Sequence, residues 1–286
     1  MASVSRARRA LRLLIGADVS GYKSSVLHRR LRSHARQRGL DDPDAYLDWL
    51  EAAGPEAAQE ARRLAQSLSV GVSGFFRDPA VFQELEDRVW PRLLASQPNP
   101  LRIWSAACAR GQEAYSLAIA LWRRGGGREG GPAFTVLGTD VDEGALRGAR
   151  EGLYRERALR GVSAAVLAEA FEPVGPGEWK VRREIRTRVR FQRVDLLAGG
   201  TLPVGFDLIC CRNFLIYLRR SAQERVLEAL HRALAPGGFL VLGTSETLLG
   251  RPWGLFEPVS VARRIYRKRG PGGSAGPSAH GLGHPS

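Results

Sequence analysis

Residues Leu101 to Ala120 read LRIWSAACARGQEAYSLAIA, and this stretch decides the fold. It opens with an apolar run, Leu101 to Ala107, interrupted only by Arg102 and Ser105, as expected of a buried strand. The small residues Ala106-Ala107-Cys108-Ala109 lead into Arg110-Gly111. A helical period then begins, with Ala114, Leu117, Ala118 and Leu121 on one face. Strand, tight loop and helix together read as the first βα unit of a nucleotide-type α/β sheet. Small side chains let a ligand approach the loop backbone, and the helix N-terminus offers free N–H groups to an anion. The loop lacks G-x-G-x-x-G, so a dinucleotide pyrophosphate site is not indicated. By pattern alone the unit reads equally as a plain βα turn of an α/β core.

Working outward, Phe134–Asp140 (FTVLGTD) predicts a second strand ending in an acid. A carboxylate there can accept two hydrogen bonds from the ribose of a nucleoside, or it can cap the helix beginning near Asp142. Arg188–Val194 predicts a third strand, followed by Asp195-Leu196-Leu197. Phe206–Cys211 (FDLICC) predicts a fourth, buried on both faces, with Arg212-Asn213-Phe214-Leu215-Ile216-Tyr217 at its carboxyl end, where ligands of open α/β sheets collect. An amphipathic helix over Ser221–Leu234 turns at Pro236-Gly237-Gly238 into strand Phe239–Gly243, and strands up to Val259–Arg267 form an antiparallel edge. The run GGGREGG at 125–131 follows a helix, so it is a connection and not a phosphate loop. Leu153–Ile185 is partly helical over Ser163–Phe171 and hairpin-like around Gly175-Pro176-Gly177.

Residues 1–70 predict a small all-helical domain. Helices are expected over Arg6–Ile15, from about Lys23 to Arg38, from Asp42-Pro43 past Leu50, and from Gly54-Pro55 through Leu68. Residues 71–90 are expected to be a linker and connecting helix. An α/β domain then spans 91–269 with an inserted subdomain at about 153–187, and a Gly/Pro/Ser-rich tail over 270–286 is expected to be disordered. On the second helix Arg29, Arg32 and Arg36 share a stripe opposite Leu27, Leu31 and Ala35. Such a stripe reads as a solvated basic face or as a docking surface for an acidic partner.

The chain has 286 residues and a formal charge of +14, and residues 1–40 alone carry +9. Only three of its 43 basic residues are lysines, a bias that composition can produce as readily as function. No apolar run approaches the roughly 20 residues of a membrane span, and the N-terminal apolar segment is too short for a signal peptide. A cytoplasmic location is expected. Three cysteines without metal spacing and five histidines, two in the tail, predict no metal site.

WSAACARGQEAYS resembles the first motif of the CheR family of chemotaxis receptor methyltransferases, close to W-S-A-x-x-S-T-G-E-E-x-Y-S. The resemblance runs from about Ala10 to Arg269 through SGYKSSVLHRRL, SGFFRDPAVF, GTDVD, FDLICCRNFLIYL, LAPGGFLVLGTSE and RRIYRKR. It implies a class I S-adenosylmethionine-dependent methyltransferase fold: a doubly wound, mostly parallel sheet with an antiparallel edge, an inserted β-subdomain and the helical domain in front. The implied reaction is methylation of chemoreceptor glutamates to glutamyl methyl esters, releasing S-adenosylhomocysteine. The implied partners are the acidic methylation helices of receptors, docked on Arg29, Arg32 and Arg36. The enzyme is expected to be a monomer recruited to membrane receptor arrays, with no stable nucleic-acid partner and no membrane insertion.

The resemblance also implies a cofactor site. Ala107, Arg110, Gly111 and Glu113 would lie under the methionine part, Asp140 at the ribose, and Asp195, Leu196, Asn213 and Phe214 near the adenine. The family segment N-x-T-x-F-F-R, which crosses the cofactor, corresponds here to Gly71, Ser73 and Arg77, so the amide is lost while hydroxyl and charge remain. Arg110 stands where the family has threonine and Gln112 where it has its first glutamate. Arg212 and Tyr217 would orient the acceptor, and no general base is required for a carboxylate nucleophile. Two other readings remain open from the sequence: a nucleic-acid methyltransferase, favoured by the charge, and a diverged, catalytically weak cofactor-binding signalling module.

Overall fold

The computed structural model describes residues 2–68, 73–96, 100–125, 131–248 and 250–270. Gly71, five residues of the glycine run and the tail from 271 onward lie outside them. Four helices come first: α1 (Ala2–Ile15), α2 (Ser24–Gln37), α3 (Pro43–Ala52) and α4 (Pro55–Leu68). Asp42 caps α3 by accepting from the N–H groups of Asp44 and Ala45, at 2.8 and 2.9 Å, which satisfies two of the donors a helix start leaves free. The first helix begins four residues earlier than its pattern predicts.

The chain then enters α5 (Pro79–Glu84), a π turn over Leu85–Val89, and α6 (Trp90–Ser96). The Trp90 N–H donates to the Leu85 carbonyl, just before Pro91, which has no N–H to continue the ladder. The sheet follows: β1 (Leu101–Ala106), α7 (Gln112–Arg124), β2 (Phe134–Asp140) and α8 (Glu143–Glu151). A side sheet intervenes with β3 (Leu153–Arg155), α9 (Ala164–Ala170), β4 (Phe171–Gly175), β5 (Glu178–Val181) and α10 (Arg183–Arg186). The main sheet resumes with β6 (Val189–Arg193), β7 (Phe206–Cys211), α11 (Arg220–Ala233), β8 (Leu234–Leu242), β9 (Phe256–Ser260) and β10 (Ile265–Lys268).

The seven main strands are ordered β6-β2-β1-β7-β8-β10-β9, and the side sheet is β3-β5-β4. Strands β6 through β8 pair in parallel, whereas β10 is antiparallel to both neighbours. The expected doubly wound sheet with an antiparallel edge is therefore present. A boundary difference in the sheet falls in β8, which starts at Leu234, not Phe239. The Pro-Gly-Gly segment is a register break inside the strand, between Phe206 and Leu208 of its neighbour. A Cβ on Gly238 would stand 2.9 Å from the Phe206 carbonyl oxygen, so only glycine fits that approach.

Alternation along each central strand sends side chains to opposite faces. Trp104, Ile209, Cys211, Leu240 and Leu242 join one cluster with the apolar faces of α1 to α4 and α11. Ile103, Leu208, Cys210, Phe239 and Val241 join the other with α5 to α7 and the side sheet. The helical domain is thus part of one continuous core. Phe75 packs edge-on against Tyr154 and Phe171, at 4.8 and 5.1 Å. It anchors the linker to the side sheet, not between the helical and sheet domains as its sequence position suggests. Backbone bonds pin the helical domain to the β7 exit loop: Lys23 N–H to the Tyr217 carbonyl at 2.9 Å and Arg219 N–H to the Gly21 carbonyl at 2.8 Å.

Inside the helical domain the buried Glu60 carboxylate accepts from Arg38 (3.1 Å) and from the Tyr46 hydroxyl (3.0 Å), and it lies 2.9 Å from His34 Nδ1. Burial alone would raise its pKa, but these partners outweigh burial and hold the carboxyl down at about 2. A depressed folded pKa contributes stability above the unfolded value near 4.5 that is lost as pH falls towards 2. The shift corresponds to on the order of 3 kcal/mol. Urea unfolding followed by circular dichroism should show stability dropping between pH 4.5 and 2, and a Glu60→Gln variant, less stable at pH 7, should show a flattened drop.

Candidate functional site

The carboxyl ends of β1, β2 and β7 meet in one trough made of three adjoining compartments. The inner compartment is lined by Ser73, Arg77, Glu113 and Tyr217 among others. The middle one is bounded by Asp140, Asp142, Asn213 and Tyr217, with Arg63, Gln66 and Ser67 of α4 at its rim. The third lies between Tyr22, Asp140, Val194, Asp195, Leu196 and Phe214. Ala107 lines all three. Six described non-glycine residues have left-handed backbones, and five of them sit around this trough: Phe76 (φ 50°), Asp78 (59°), Ala107 (57°), Ala109 (49°) and Asn213 (62°). Each left-handed alanine costs on the order of 1 kcal/mol, and such strain gathers where a site demands a fixed backbone.

The strain is held by named bonds. The Ala109 N–H donates to Asp140 Oδ2 at 2.8 Å, the Cys108 N–H to the Thr139 carbonyl at 2.9 Å, and the Asp142 N–H to Asp140 Oδ1 at 3.0 Å. Asp142, not Asp140, caps α8, through the N–H groups of Gly144 and Ala145. Gly111 has φ 82°, and a Cβ there would stand 2.8 Å from the Phe191 ring, so the loop seats on Phe191 only with glycine. On the other side Glu246, 3% exposed, accepts from the N–H groups of Gly243 (2.6 Å), Asn213 (3.0 Å) and Ile216 (3.3 Å). It locks the left-handed Asn213 and the start of the turn that carries Tyr217.

Burial raises the Asp140 pKa above the ordinary carboxylate value and pushes the Cys108 thiol well up, so that thiol stays protonated. Among the described residues no cluster could hold a metal ion, and no helix is long and apolar enough to cross a membrane.

The arrangement suits a nucleoside sulfonium: a half-apolar slot beside Phe214 for a flat heterocycle, a buried carboxylate at the β2 end for diol hydroxyls, and a close-approach loop without a phosphate-binding lysine. A family model described as the SAM-binding domain of CheR methyltransferase matches residues 71–264, and one for its all-alpha domain matches residues 2–69. The chain belongs to the CheR methyltransferase family. It is 38% identical to chemotaxis protein methyltransferase 1 of Pseudomonas aeruginosa, over 83% of this chain and 87% of that protein. It is 32% identical to chemotaxis protein methyltransferase Cher2 of Pseudomonas putida, over 85% and 88%. A probable chemotaxis protein methyltransferase of Rhizobium etli is 31% identical over 91% and 98%. This chain is an S-adenosylmethionine-dependent methyltransferase, and neither the nucleic-acid reading nor the weak-module reading is favoured.

Of the residues predicted for this CheR-family site, Ser73, Arg77, Ala107, Glu113, Asp140, Asp195, Leu196, Arg212, Asn213, Phe214 and Tyr217 line the trough. Gly71 is outside the described residues. Arg110 is not a lining residue: it is exposed and folds back over α8, its Nη2 3.3 Å from where a Gly148 Cβ would stand. Gly111 acts from behind the loop. Arg29, Arg32 and Arg36 are exposed on α2, away from the trough.

Arg212, expected to orient the acceptor, lines the inner compartment and is already engaged there. Its side chain is 3% exposed and ion-pairs with Asp78 at 2.6 Å and Glu113 at 3.3 Å, while also donating to the Arg77 carbonyl at 2.9 Å. Glu113 is held on its other oxygen by the Ser105 hydroxyl at 2.8 Å. Arg212 therefore positions the linker over the trough. The sequence reasoning missed Tyr22, Asp78, Glu246 and the α4 residues. Glu246 alone left a signal, as an acid in an otherwise small-residue turn after an apolar strand. Removing one partner of a buried ion pair costs about 3–5 kcal/mol. Arg212→Ala should lose stability on that scale in urea and speed amide exchange at Phe76, whose N–H now donates to Ser116 Oγ at 2.9 Å.

Proposed function

We propose that this methyltransferase esterifies glutamate side chains on the cytoplasmic helices of chemoreceptors, using S-adenosylmethionine and releasing S-adenosylhomocysteine. The observation that carries this reading is the chemistry of the trough wall. None of the three described histidines lines it, its one thiol is held protonated, its carboxylates Asp140, Asp142 and Glu113 already accept hydrogen bonds within the protein, and Arg63, Arg77 and Tyr217 line it. An amine or alcohol acceptor would require a base to take its proton. A glutamate with an ordinary pKa near 4.3 is already a carboxylate at neutral pH. The bound cofactor supplies an electrophilic methyl group on a sulfonium, and the protein supplies alignment and partial exclusion of water.

On this reading Asp140 accepts the ribose hydroxyls, the slot of Asp195, Leu196, Phe214 and Tyr22 receives the adenine, and Glu113 and Arg77 meet the charged ends of the methionine part. The exposed stripe of Arg29, Arg32 and Arg36 makes no ion pair among the described residues and fits the acidic surface of a receptor helix. The enzyme acts as a monomer at receptor arrays. The similar proteins named as chemotaxis methyltransferases support the receptor assignment.

Purified protein incubated with methyl-labelled cofactor and a receptor cytoplasmic fragment should yield base-labile label on glutamates. Asp140→Ala and Arg77→Ala should each weaken S-adenosylhomocysteine binding at least about tenfold in calorimetry, the scale of one charge-assisted hydrogen bond. Because burial raises the Asp140 pKa, wild-type binding should weaken on acidification at a pH above that of an ordinary aspartate. Reversing Arg29, Arg32 and Arg36 to glutamate should raise the KM for the fragment without moving cofactor affinity. A folded protein that binds the cofactor yet labels no receptor fragment would overturn the assignment.

A further inference from the structure

We infer that Arg63, supplied by the helical domain, takes hold of the acceptor carboxylate at the mouth of the trough; this rests on the glutamate-methylating reading. The mouth is the middle compartment, where Arg63, Gln66 and Ser67 of α4 share the lining with Asp140, Asp142, Asn213, Phe214 and Tyr217. An anionic acceptor entering there is repelled by both aspartates, so a cation is needed in the same lining. Among the described residues Arg63 is the one basic side chain that lines this compartment. Arg212 is buried and engaged by Asp78 and Glu113, and Arg77 lines the inner compartment instead.

The local chemistry leaves Arg63 able to respond. Its side chain is 60% exposed, and its ion-pair contact is Glu60 Oε2 at 3.5 Å. Glu60 already has His34, Arg38 and Tyr46 at 2.9 to 3.1 Å, so turning Arg63 to another anion leaves no buried charge unpaired. A guanidinium can hold one carboxylate oxygen and leave the other with a lone pair facing the methyl group. The same contact separates glutamate from glutamine, since a neutral amide gains far less from a cation. The backbone bonds that join residues 21–23 to 217–219 and the Gln66 contact to Asp142 at 3.3 Å then have a purpose in fixing Arg63 relative to Tyr217.

The test is steady-state kinetics of full-length wild type, Arg63→Ala, Arg63→Lys and Arg62→Ala on a receptor fragment, with S-adenosylhomocysteine titrated into each. Arg62 is exposed on the same helix and does not line the trough, so it controls for loss of one surface charge. Arg63→Ala should lower kcat/KM for the fragment about 10- to 100-fold, the scale of a charge-assisted hydrogen bond, with cofactor affinity unchanged. Arg63→Lys and added guanidinium should each restore part of the loss, and Arg62→Ala should behave as wild type. A kcat/KM for Arg63→Ala equal to that of Arg62→Ala, or a parallel loss of cofactor affinity, would overturn the inference. Absence of ester formation by wild type itself would instead overturn the reading on which it rests.

Discussion

The guanidinium of Arg212, removed from water at the end of β7, joins three pieces of chain that are distant in sequence. It ties the linker through Asp78 and the Arg77 carbonyl to the start of α7 through Glu113. An isolated charge in that position would be very costly, so both carboxylates and the carbonyl must be in place for the fold to close. The planar fork matters as much as the charge. Two nitrogens reach partners in different directions, which a single ammonium would not do. The segment over the trough is therefore set by the same interaction that completes the sheet edge, and Arg77 inherits its place from the carbonyl bond of its own residue.

Around this tie the backbone is strained in a consistent way. Phe76 and Asp78 flank Arg77, Ala107 and Ala109 form the loop after β1, and Asn213 follows Arg212, all with positive φ. Three of them are held by a nearby bond: Ser116 Oγ for the Phe76 N–H, Asp140 for the Ala109 N–H, Glu246 for the Asn213 N–H. Two carboxylates, Asp140 and Glu246, are desolvated, which raises both pKa values, while the N–H bonds they accept act in the opposite direction. A buried carboxylate collecting backbone donors keeps its position whether or not a ligand is present. That suits a reaction in which alignment does most of the work.

The fold was largely legible because its signals are periodic. The apolar run of FDLICC, the switch from strand to helix at Ala107–Gly111 and the capping pair Asp42-Pro43 each reflect a local rule that tertiary structure did not override. The strand-end residues that line the trough were legible for the same reason, since a residue just after a parallel strand sits at the carboxyl edge of the sheet. Legibility failed where a side chain could go two ways. Nothing local tells that Arg212 turns inward to Asp78, 134 positions away, whereas Arg110 turns outward over Gly148. Phe75 packs on Tyr154 and Phe171 of the inserted side sheet, partners that its place in a linker between two domains does not announce. Tyr22 and Arg63 were invisible as site residues because a helical domain read alone gives no sign of which edge it presents to the sheet.

That last failure points to how the parts work together. The helical domain shares a hydrophobic cluster with one face of the sheet, contributes Tyr22 to the slot beside Phe214, and brings α4 to the rim of the trough. A domain that only delivered a partner could be tethered loosely, and its docking surface would tolerate motion. A domain that forms part of the site wall must hold its register against the sheet to within the reach of a hydrogen bond. The short antiparallel bridge between Tyr22 and Leu218 provides that register, because it fixes residues 21–23 against the same turn that carries Tyr217. The α2 face and the trough are thereby built on one frame, since the same bonds that seat residues 21–23 also seat the turn that carries Tyr217.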